Sequence, residues 1–272
     1  MAAPPGDKAL QFNNGTTATE RNRAVGQAIT RLVIGNWKMH GKLATNQALL
    51  EALAAGSMSL SGQCHLGVCV PFPYLAQAQA QLQGSALSWG AQDVSAHLGG
   101  AYTGEVAAPM LADFGAQWVL VGHSERRAMH GEDSALVASK AQAALNAGIT
   151  PVVCIGETLE QHDAGHTDAV IADQLAPVLA LGPQALAKMV FAYEPVWAIG
   201  TGQSATPDQA QAVHATIRER LAAFDAADRP ILYGGSVKAD NAAGLLSMPD
   251  INGALVGGAS LLAEEFLRIA AA

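Results

Sequence analysis

The chain has 272 residues, of which 50% are hydrophobic and 14% are charged, enough apolar material for one large core or for two smaller domains. Its 15 basic and 23 acidic residues give a formal net charge of -8, which disfavours binding to nucleic acid or to an anionic membrane. The sequence contains no apolar run near the roughly 18 residues that a membrane span requires, so the composition predicts a soluble protein.

Residues 1–30 are small, polar and rich in Pro, Gly and Thr, unlike the rest of the chain. They contain no apolar stretch of the kind found in secretory signal peptides. Arg21, Arg23 and Arg31 would suit a transit peptide, whereas Asp7 and Glu20 count against one. We therefore predict a flexible N-terminal extension over residues 1–30 and one catalytic domain over residues 31–272.

Eight short apolar runs follow the extension, each ended by Gly, Asn, Pro or Glu. In chain order they are RLVIGN, HLGVCVP, ALSWGAQ, WVLVGH, TPVVCIGE, MVFAYEP, ILYGG and GALVGG. Stretches with helical spacing lie between them, and strict alternation of strand and helix indicates a parallel sheet buried on both faces. Eight units in this length predict an α/β fold, a closed (β/α)8 barrel. An open, doubly wound sheet is the alternative. In both folds, active groups lie at the carboxyl ends of strands.

Three of these runs end in one or two glycines, and a serine follows within two residues. They are Gly122-His123-Ser124, Gly234-Gly235-Ser236 and Gly257-Gly258-Ala259-Ser260. Glycine lets backbone N–H groups approach an anion, and a helix that starts there adds its positive end. The last two lie on the seventh and eighth strands, where (β/α)8 barrels often bind phosphate. We therefore predict a phosphate site there; the alternative is a pair of tight turns with serine caps.

Glu194 ends the sixth apolar run and is followed by Pro and by an apolar loop. A buried carboxylate beside such a loop is poorly solvated when charged, which makes it a stronger base. Lys38, Asn36, His123 and Glu125 also stand at or just after strand ends, so we expect them to gather with Glu194 at one mouth of the barrel. Glu125 has a simpler explanation as well, because acids are favoured in the first turn of a helix.

The segment 200–205, GTGQSA, fits the G-x-G-x-x-A fingerprint of dinucleotide-binding folds and suggests a nicotinamide-dependent oxidoreductase as an alternative function. The fingerprint fails in two respects, because it does not directly follow its strand and because the next strand has no acidic residue at its end. A non-enzymatic phosphate-binding barrel is a third alternative.

His162 and His166 lie four residues apart in HDAGH, a spacing that two metal ligands on a helix share. The Gly and Asp between them weaken a helix and no third ligand is evident, so an exposed loop is the favoured interpretation. Cys64, Cys69 and Cys154 are three cysteines in apolar surroundings, which argues against a disulfide framework and favours a reducing compartment.

Five strings together resemble the triosephosphate isomerase family, in the same order: GNWKM (35–39), GHSERR (122–127), AYEPVWAIGTG (192–202), YGGS (233–236) and LVGGAS (255–260). The resemblance covers about residues 31–270. It implies a single TIM barrel and the interconversion of dihydroxyacetone phosphate and D-glyceraldehyde 3-phosphate, a step of glycolysis and gluconeogenesis. It also implies a cytoplasmic homodimer, and a reaction without a metal or organic cofactor.

The resemblance also implies residue roles. Glu194 would move a proton through an enediolate, while His123, Lys38 and Asn36 would stabilise the negative charge on the substrate oxygens, and Glu125 would fix Lys38. Asn36 and Lys38 would also bind substrate. Its phosphate would meet the backbone N–H groups of Gly200, Ser236, Gly257 and Gly258.

Two further segments resemble those of the family. Residues 195–205 would form a lid that closes over the substrate, and Tyr233 and Ser236 would hold the closed lid. Residues 99–105, GGAYTGE, would carry Thr103 to the active site of a partner subunit. Three features depart from the family pattern: His40 stands in place of an asparagine near the active mouth, Gln203 replaces a hinge lysine, and the N-terminal tail is unusually long.

Overall fold

The computed structural model describes residues 31–60, 62–199 and 204–272. The predicted N-terminal extension, the predicted phosphate contact at Gly200 and the departure at Gln203 lie outside the described residues. In the described ranges, no helix is both long enough and apolar enough to cross a membrane.

Eight parallel strands form a closed barrel in sequence order, and β8 pairs with β1 through Leu32 and Gly253. The strands are β1 (Leu32–Asn36), β2 (His65–Val70), β3 (Ser88–Ala91), β4 (Trp118–Val121), β5 (Thr150–Ile155), β6 (Val190–Tyr193), β7 (Ile231–Tyr233) and β8 (Gly253–Val256). Each coincides with one predicted apolar run. The predicted (β/α)8 barrel is therefore confirmed, and the open doubly wound sheet is excluded.

The helices surround the barrel. They are α1 (Leu43–Ser57), α2 (Leu75–Leu82), α3 (Ala108–Asp113), α4 (Ser124–His130), α5 (Ser134–Asn146), α6 (Leu159–Asp163), α7 (Thr167–Leu179), α8 (Pro183–Leu186), α9 (Pro207–Ala222), α10 (Ala242–Leu246) and α11 (Ala263–Ala271). Short 3-10 turns cover Met58–Leu60, Phe72–Tyr74, Val196–Ala198 and Gly258–Leu261. Helix α9 begins with a capping box in which Thr206 and Gln209 exchange side-chain to backbone hydrogen bonds, which fixes its start.

Alternate residues of each strand face two different apolar cores. In β1, Leu32 and Ile34 belong to the cluster inside the barrel, whereas Val33 belongs to the larger cluster between the barrel and its helices. The same alternation separates Ala192 from Phe191 in β6. Because both faces are buried, these strands need apolar residues at every position, which explains their unbroken apolar runs.

This alternation also aims the polar residues at the strand ends. Asn36 continues the inward series of Leu32 and Ile34, and Glu194 continues that of Val190 and Ala192. Both side chains therefore point into the carboxyl-terminal mouth of the barrel. After β4, Gly122 turns the chain with a φ of 69°, and a Cβ there would lie 2.7 Å from Cγ2 of Val137, so glycine is required before His123.

Candidate active site

A cavity of about 280 Å³ opens at this mouth of the barrel. Among the residues predicted to act, it brings together Asn36, Lys38, His123, Glu194, Ser236, Gly257 and Gly258. Glu125 does not line this cavity; it borders an adjoining one and reaches the site through Lys38. The residues expected at the barrel mouth therefore do gather there, and Glu125 stands one contact behind them.

Glu194 is 1% exposed and its two carboxylate oxygens have different surroundings. Oε2 accepts a hydrogen bond of 2.8 Å from the backbone N–H of Ser124 at the start of α4. Oε1 lies 3.3 Å from Nε2 of His123 and accepts no hydrogen bond from the described residues. A buried oxygen with free acceptor capacity is an unstable arrangement in a core but is what a base needs to take up a proton.

The interior core lies directly behind Glu194. Burial, together with the neighbouring Glu194 carboxylate, raises the pKa of the Cys154 thiol well above its ordinary value. Cys154 therefore stays a neutral thiol and adds no second negative charge beside Glu194. A Cβ at Gly234 would lie 2.9 Å from Cγ of Glu194, so the β7 end leaves space for this side chain only because glycine is there.

His123 caps α4 with its side chain. Its Nδ1 accepts a hydrogen bond of 3.3 Å from the backbone N–H of Glu125, and only an unprotonated Nδ1 can accept. The remaining hydrogen of a neutral ring is then on Nε2, the nitrogen that faces Glu194 and the cavity. The helix end therefore orients a neutral hydrogen-bond donor toward any oxygen bound in the cavity.

Lys38 adopts a left-handed backbone conformation with a φ of 51°, which is strained for a residue with a side chain. Three contacts hold it there: its N–H donates to Oδ1 of Asn36 at 2.9 Å, its carbonyl accepts from Nε2 of Gln92 at 2.8 Å, and its Nζ lies 2.5 Å from Oε1 of Glu125. Burial tends to raise the pKa of Glu125, but its hydrogen bond to Lys38 and nearby positive charge hold that pKa below its ordinary value. Glu125 therefore stays charged at neutral pH.

Glycines that follow β7 and β8 form the opposite wall of the cavity. Gly258 has open space where a side chain would be, and a Cβ at Gly257 would lie 3.4 Å from Cε of Lys38. The Lys38 side chain therefore crosses from β1 to the β8 end. Lys238, which follows Ser236 and lines the same cavity, adds a second cation that the sequence analysis missed.

A family model described as triosephosphate isomerase matches residues 31–272. The chain belongs to the triosephosphate isomerase family. The triosephosphate isomerase of Bordetella pertussis is 65% identical over 254 residues, which are 93% of this chain and 99% of the relative. Those of Cupriavidus taiwanensis and Thiobacillus denitrificans are 62% and 59% identical over 243 residues, 88% of this chain and 98% and 96% of the relatives.

Membership of the triosephosphate isomerase family makes this chain an enzyme, an isomerase of triose phosphates in glycolysis and gluconeogenesis. It decides against the two alternative functions, a nicotinamide-dependent oxidoreductase and a non-enzymatic phosphate-binding barrel. The resemblance found from five short strings is thus confirmed over the whole barrel domain.

The loop after β6 is anchored by Glu157, a residue that the sequence analysis did not single out. Glu157 is fully buried, and its Oε1 accepts hydrogen bonds from Nε1 of Trp197 at 2.9 Å and from the hydroxyl of Tyr193 at 3.0 Å. At the other end of the predicted lid, the N–H of Ala205 donates to the hydroxyl of Tyr233 at 3.3 Å. Both ends of the segment are therefore tied to strand ends of the isomerase barrel.

The prediction that HDAGH is an exposed loop is wrong for His162. His162 lies on α6, half-buried, with its ring against Trp197 at a centroid separation of 4.7 Å. The short helix forms despite the neighbouring Gly because a capping box of Thr158 and Gln161 stabilises its first turn. His166 is exposed.

Proposed function

We propose that Glu194 is the base of the isomerisation and that His123, Lys38 and Asn36 stabilise the charge that develops on the substrate. One observation carries the proposal: a buried carboxylate oxygen that accepts no hydrogen bond from residues 31–60, 62–199 and 204–272 lies 3.3 Å from the imidazole nitrogen of His123, at a cavity that Lys38 and Asn36 also line. This arrangement supports a base and three electrophilic groups that act around one small volume.

In the proposed reaction Glu194 removes a proton from the carbon next to the carbonyl group of dihydroxyacetone phosphate. The C–H electron pair forms the C=C bond of an enediolate, and the carbonyl oxygen takes the negative charge. Nε2–H of His123 donates to that oxygen and Lys38 contributes its fixed positive charge. The proton of the hydroxyl group on the first carbon passes to the former carbonyl oxygen through His123, which gives its Nε2 proton to one oxygen and takes the proton of the other. Glu194 returns its own proton to the former carbonyl carbon, which gives D-glyceraldehyde 3-phosphate and restores the carboxylate and the neutral ring.

In the proposed reaction Glu194 gives up its hydrogen bond from the Ser124 N–H when its side chain moves toward a substrate carbon. Oε2 is engaged with the Ser124 N–H, so rotation of the side chain into the cavity exchanges this hydrogen bond for contact with the substrate. The interior face behind Glu194 is apolar, which favours closing the site to water while the enediolate exists.

The phosphate is proposed to bind the backbone N–H groups of Ser236, Gly257 and Gly258, with Lys238 nearby. Gly200, the fourth donor that the family resemblance implies, lies outside the described residues. Residues 195–205 are proposed to close as a lid. Trp197 at one end is hydrogen-bonded to Glu157, and Ser204 at the other donates to the carbonyl of Ser236 at 3.4 Å.

The proposal includes a homodimer in the cytoplasm. A second cavity of about 580 Å³ adjoins the site at Asn36 and Lys38, and Met39 and Met129 on its rim are 94% and 75% exposed. The loop with Thr103 also exposes apolar surface, and stacking of His97 on Tyr102 at 3.8 Å braces it. The exposed methionines beside this cavity could pack against the Thr103 loop of a second copy, and sedimentation of the purified chain would show the dimer.

The proposed cytoplasmic location is supported by the three free cysteines, which suit a reducing compartment.

The role of Glu194 can be tested by incubating dihydroxyacetone phosphate with the enzyme in heavy water. The wild type should place deuterium on the substrate carbon, because the proton held by Glu194 exchanges with solvent. Glu194→Gln should incorporate almost none while its circular dichroism stays that of the wild type. Undiminished incorporation by the folded variant would remove Glu194 from the reaction.

A further inference from the structure

His162 is a half-buried residue near the carboxyl-terminal mouth of the barrel that has no role in the proposed reaction. Its ring packs on the indole of Trp197, with an interplanar angle of 33°. Its Nδ1 lies 3.3 Å from Oε1 of Glu157, the oxygen to which Trp197 donates its hydrogen bond. Nδ1 makes no hydrogen bond in the described part of the chain, because it is close to that oxygen without being aligned on it.

Glu157 depends strongly on the donors at this one oxygen. The residue is fully buried, and its other oxygen, Oε2, has no hydrogen-bond partner among residues 31–60, 62–199 and 204–272. Tyr193 and Trp197 supply the two hydrogen bonds at Oε1. A buried carboxylate that loses a donor without replacement carries a large free-energy cost, since water cannot easily reach it.

Trp197 lies in the hinge of the lid, so this inference rests on the proposed function. If the hinge moves when the lid closes, the indole leaves Glu157 and a donor at Oε1 is lost. We propose that His162 is a positioning residue that takes over this hydrogen bond: as Trp197 departs, Nδ1–H of His162 donates to Oε1 of Glu157. The lid can then close without leaving the buried carboxylate short of a donor.

The charges around the ring suit this exchange. Glu157 is the carboxylate within ion-pair distance of His162 in the described ranges, and Glu160 and Asp163 on α6 are its exposed acidic neighbours. Burial and the Glu157 carboxylate raise the pKa of Tyr193 on β6, so Tyr193 remains a donor throughout. An imidazolium ring and a neutral ring with its hydrogen on Nδ1 both supply the required N–H.

Two substitutions separate the donor from the ring. His162→Phe keeps a flat ring against Trp197 and removes the N–H, whereas His162→Gln keeps an N–H donor of similar reach and removes the ring. Because one unsatisfied buried acceptor would disfavour the closed lid, His162→Phe should lower kcat/KM about tenfold. His162→Gln should stay within about twofold of the wild type. The urea midpoints of both variants should equal that of the wild type.

The hinge itself can be followed by fluorine NMR of enzyme labelled with 5-fluorotryptophan, with the Trp197 signal assigned from Trp197→Phe. Glycerol 3-phosphate, which has the phosphate but no carbonyl group to isomerise, serves as the ligand. At saturation the Trp197 signal of the wild type and of His162→Gln should move to a new position. In His162→Phe the ratio of moved to unmoved signal should be about tenfold smaller.

Three outcomes would overturn the inference. Equal Trp197 populations in His162→Phe and the wild type would show that Nδ1 is not the replacement donor. Equal losses in both variants would show that ring packing matters and the hydrogen bond does not. A wild-type Trp197 signal that never moves would overturn the proposed hinge as well, whereas loss of the Glu194 role would leave the Trp197 signals unaffected.

Discussion

Two glutamates at neighbouring strand ends, Glu194 after β6 and Glu157 after β5, are equally buried but differently used. Glu194 faces the cavity with one oxygen that accepts no hydrogen bond in the described ranges, whereas Glu157 turns toward the loop and binds two side-chain donors through one oxygen. Burial alone therefore does not identify a base. The side chain must also face space that a substrate can enter, and Glu194 lines such a cavity.

The sharpest way to break this comparison is to remove the charge from each glutamate in turn. Glu194→Gln should lower kcat roughly 10²- to 10⁴-fold, the range for loss of a general base. Glu157→Gln should lower kcat less than about tenfold, because its amide oxygen still accepts from Tyr193 and Trp197. Steady-state assays in both directions of the isomerisation measure both effects. Similar losses in the two variants would mean that the difference in surroundings has no catalytic meaning.

His214 sharpens the comparison as a fully buried group that faces the helix layer, between Tyr193 and Tyr233. Burial lowers its pKa from 6.5 to about 4, although the carbonyl of Asp250 opposes the shift. The folded state therefore resists protonation while the unfolded state takes up a proton near pH 6.5. The contribution of His214 to the free energy of unfolding should therefore be fully present above pH 6.5. It should decrease by about 3 kcal/mol as the pH drops to 4.

Urea unfolding at fixed protein concentration between pH 7 and pH 4 measures this loss. In His214→Gln, the number of protons taken up on unfolding between pH 6.5 and pH 4 should be smaller by about one, which makes the slope of the free energy of unfolding against pH shallower. The variant should keep its isomerase activity at pH 7. An unchanged pH slope in that variant would show that His214 is not the group that resists protonation.

Lys238 provides the opposite case to Glu157: it is exposed, but it borders the cavity and can therefore contribute to substrate binding. Lys238→Met should raise the inhibition constant of inorganic phosphate about threefold at low salt, since one of the cations near the bound anion is lost. Lys188 is also exposed and precedes β6 at the opposite end of the barrel, so Lys188→Met makes the same change in net charge away from the site.

Competitive inhibition assays at several salt concentrations compare the two lysine variants. The effect of Lys238→Met should shrink as salt increases, and Lys188→Met should match the wild type throughout. Equal inhibition constants for the two variants would show that net charge matters and the position of Lys238 does not.

The sequence predicted the barrel well because each strand is buried on both faces and therefore shows an unbroken apolar run. It also predicted that Asn36, Lys38, His123 and Glu194 meet, since parallel strands bring their carboxyl ends to one mouth. This part of the prediction needed only the position of each residue relative to its own strand.

Other contacts at the site could not be predicted in this way, because they join loops distant in the chain. Gln92 holds the carbonyl of Lys38 across 54 positions, and Glu157 meets Trp197 across 40. The interpretation of His162 failed for the same reason: its local sequence is that of a loop, but its environment is set by the indole from the next strand end. Residues with ordinary local patterns become important only through such neighbours.

Cys154 and Ala192 form part of the interior packing immediately behind the base. Side-chain volume in the middle of the barrel therefore also bears on reaction geometry, because Cys154 is a close neighbour of the Glu194 carboxylate. A search for stabilising core replacements in this enzyme should therefore begin on the outer face of the strands, away from the base.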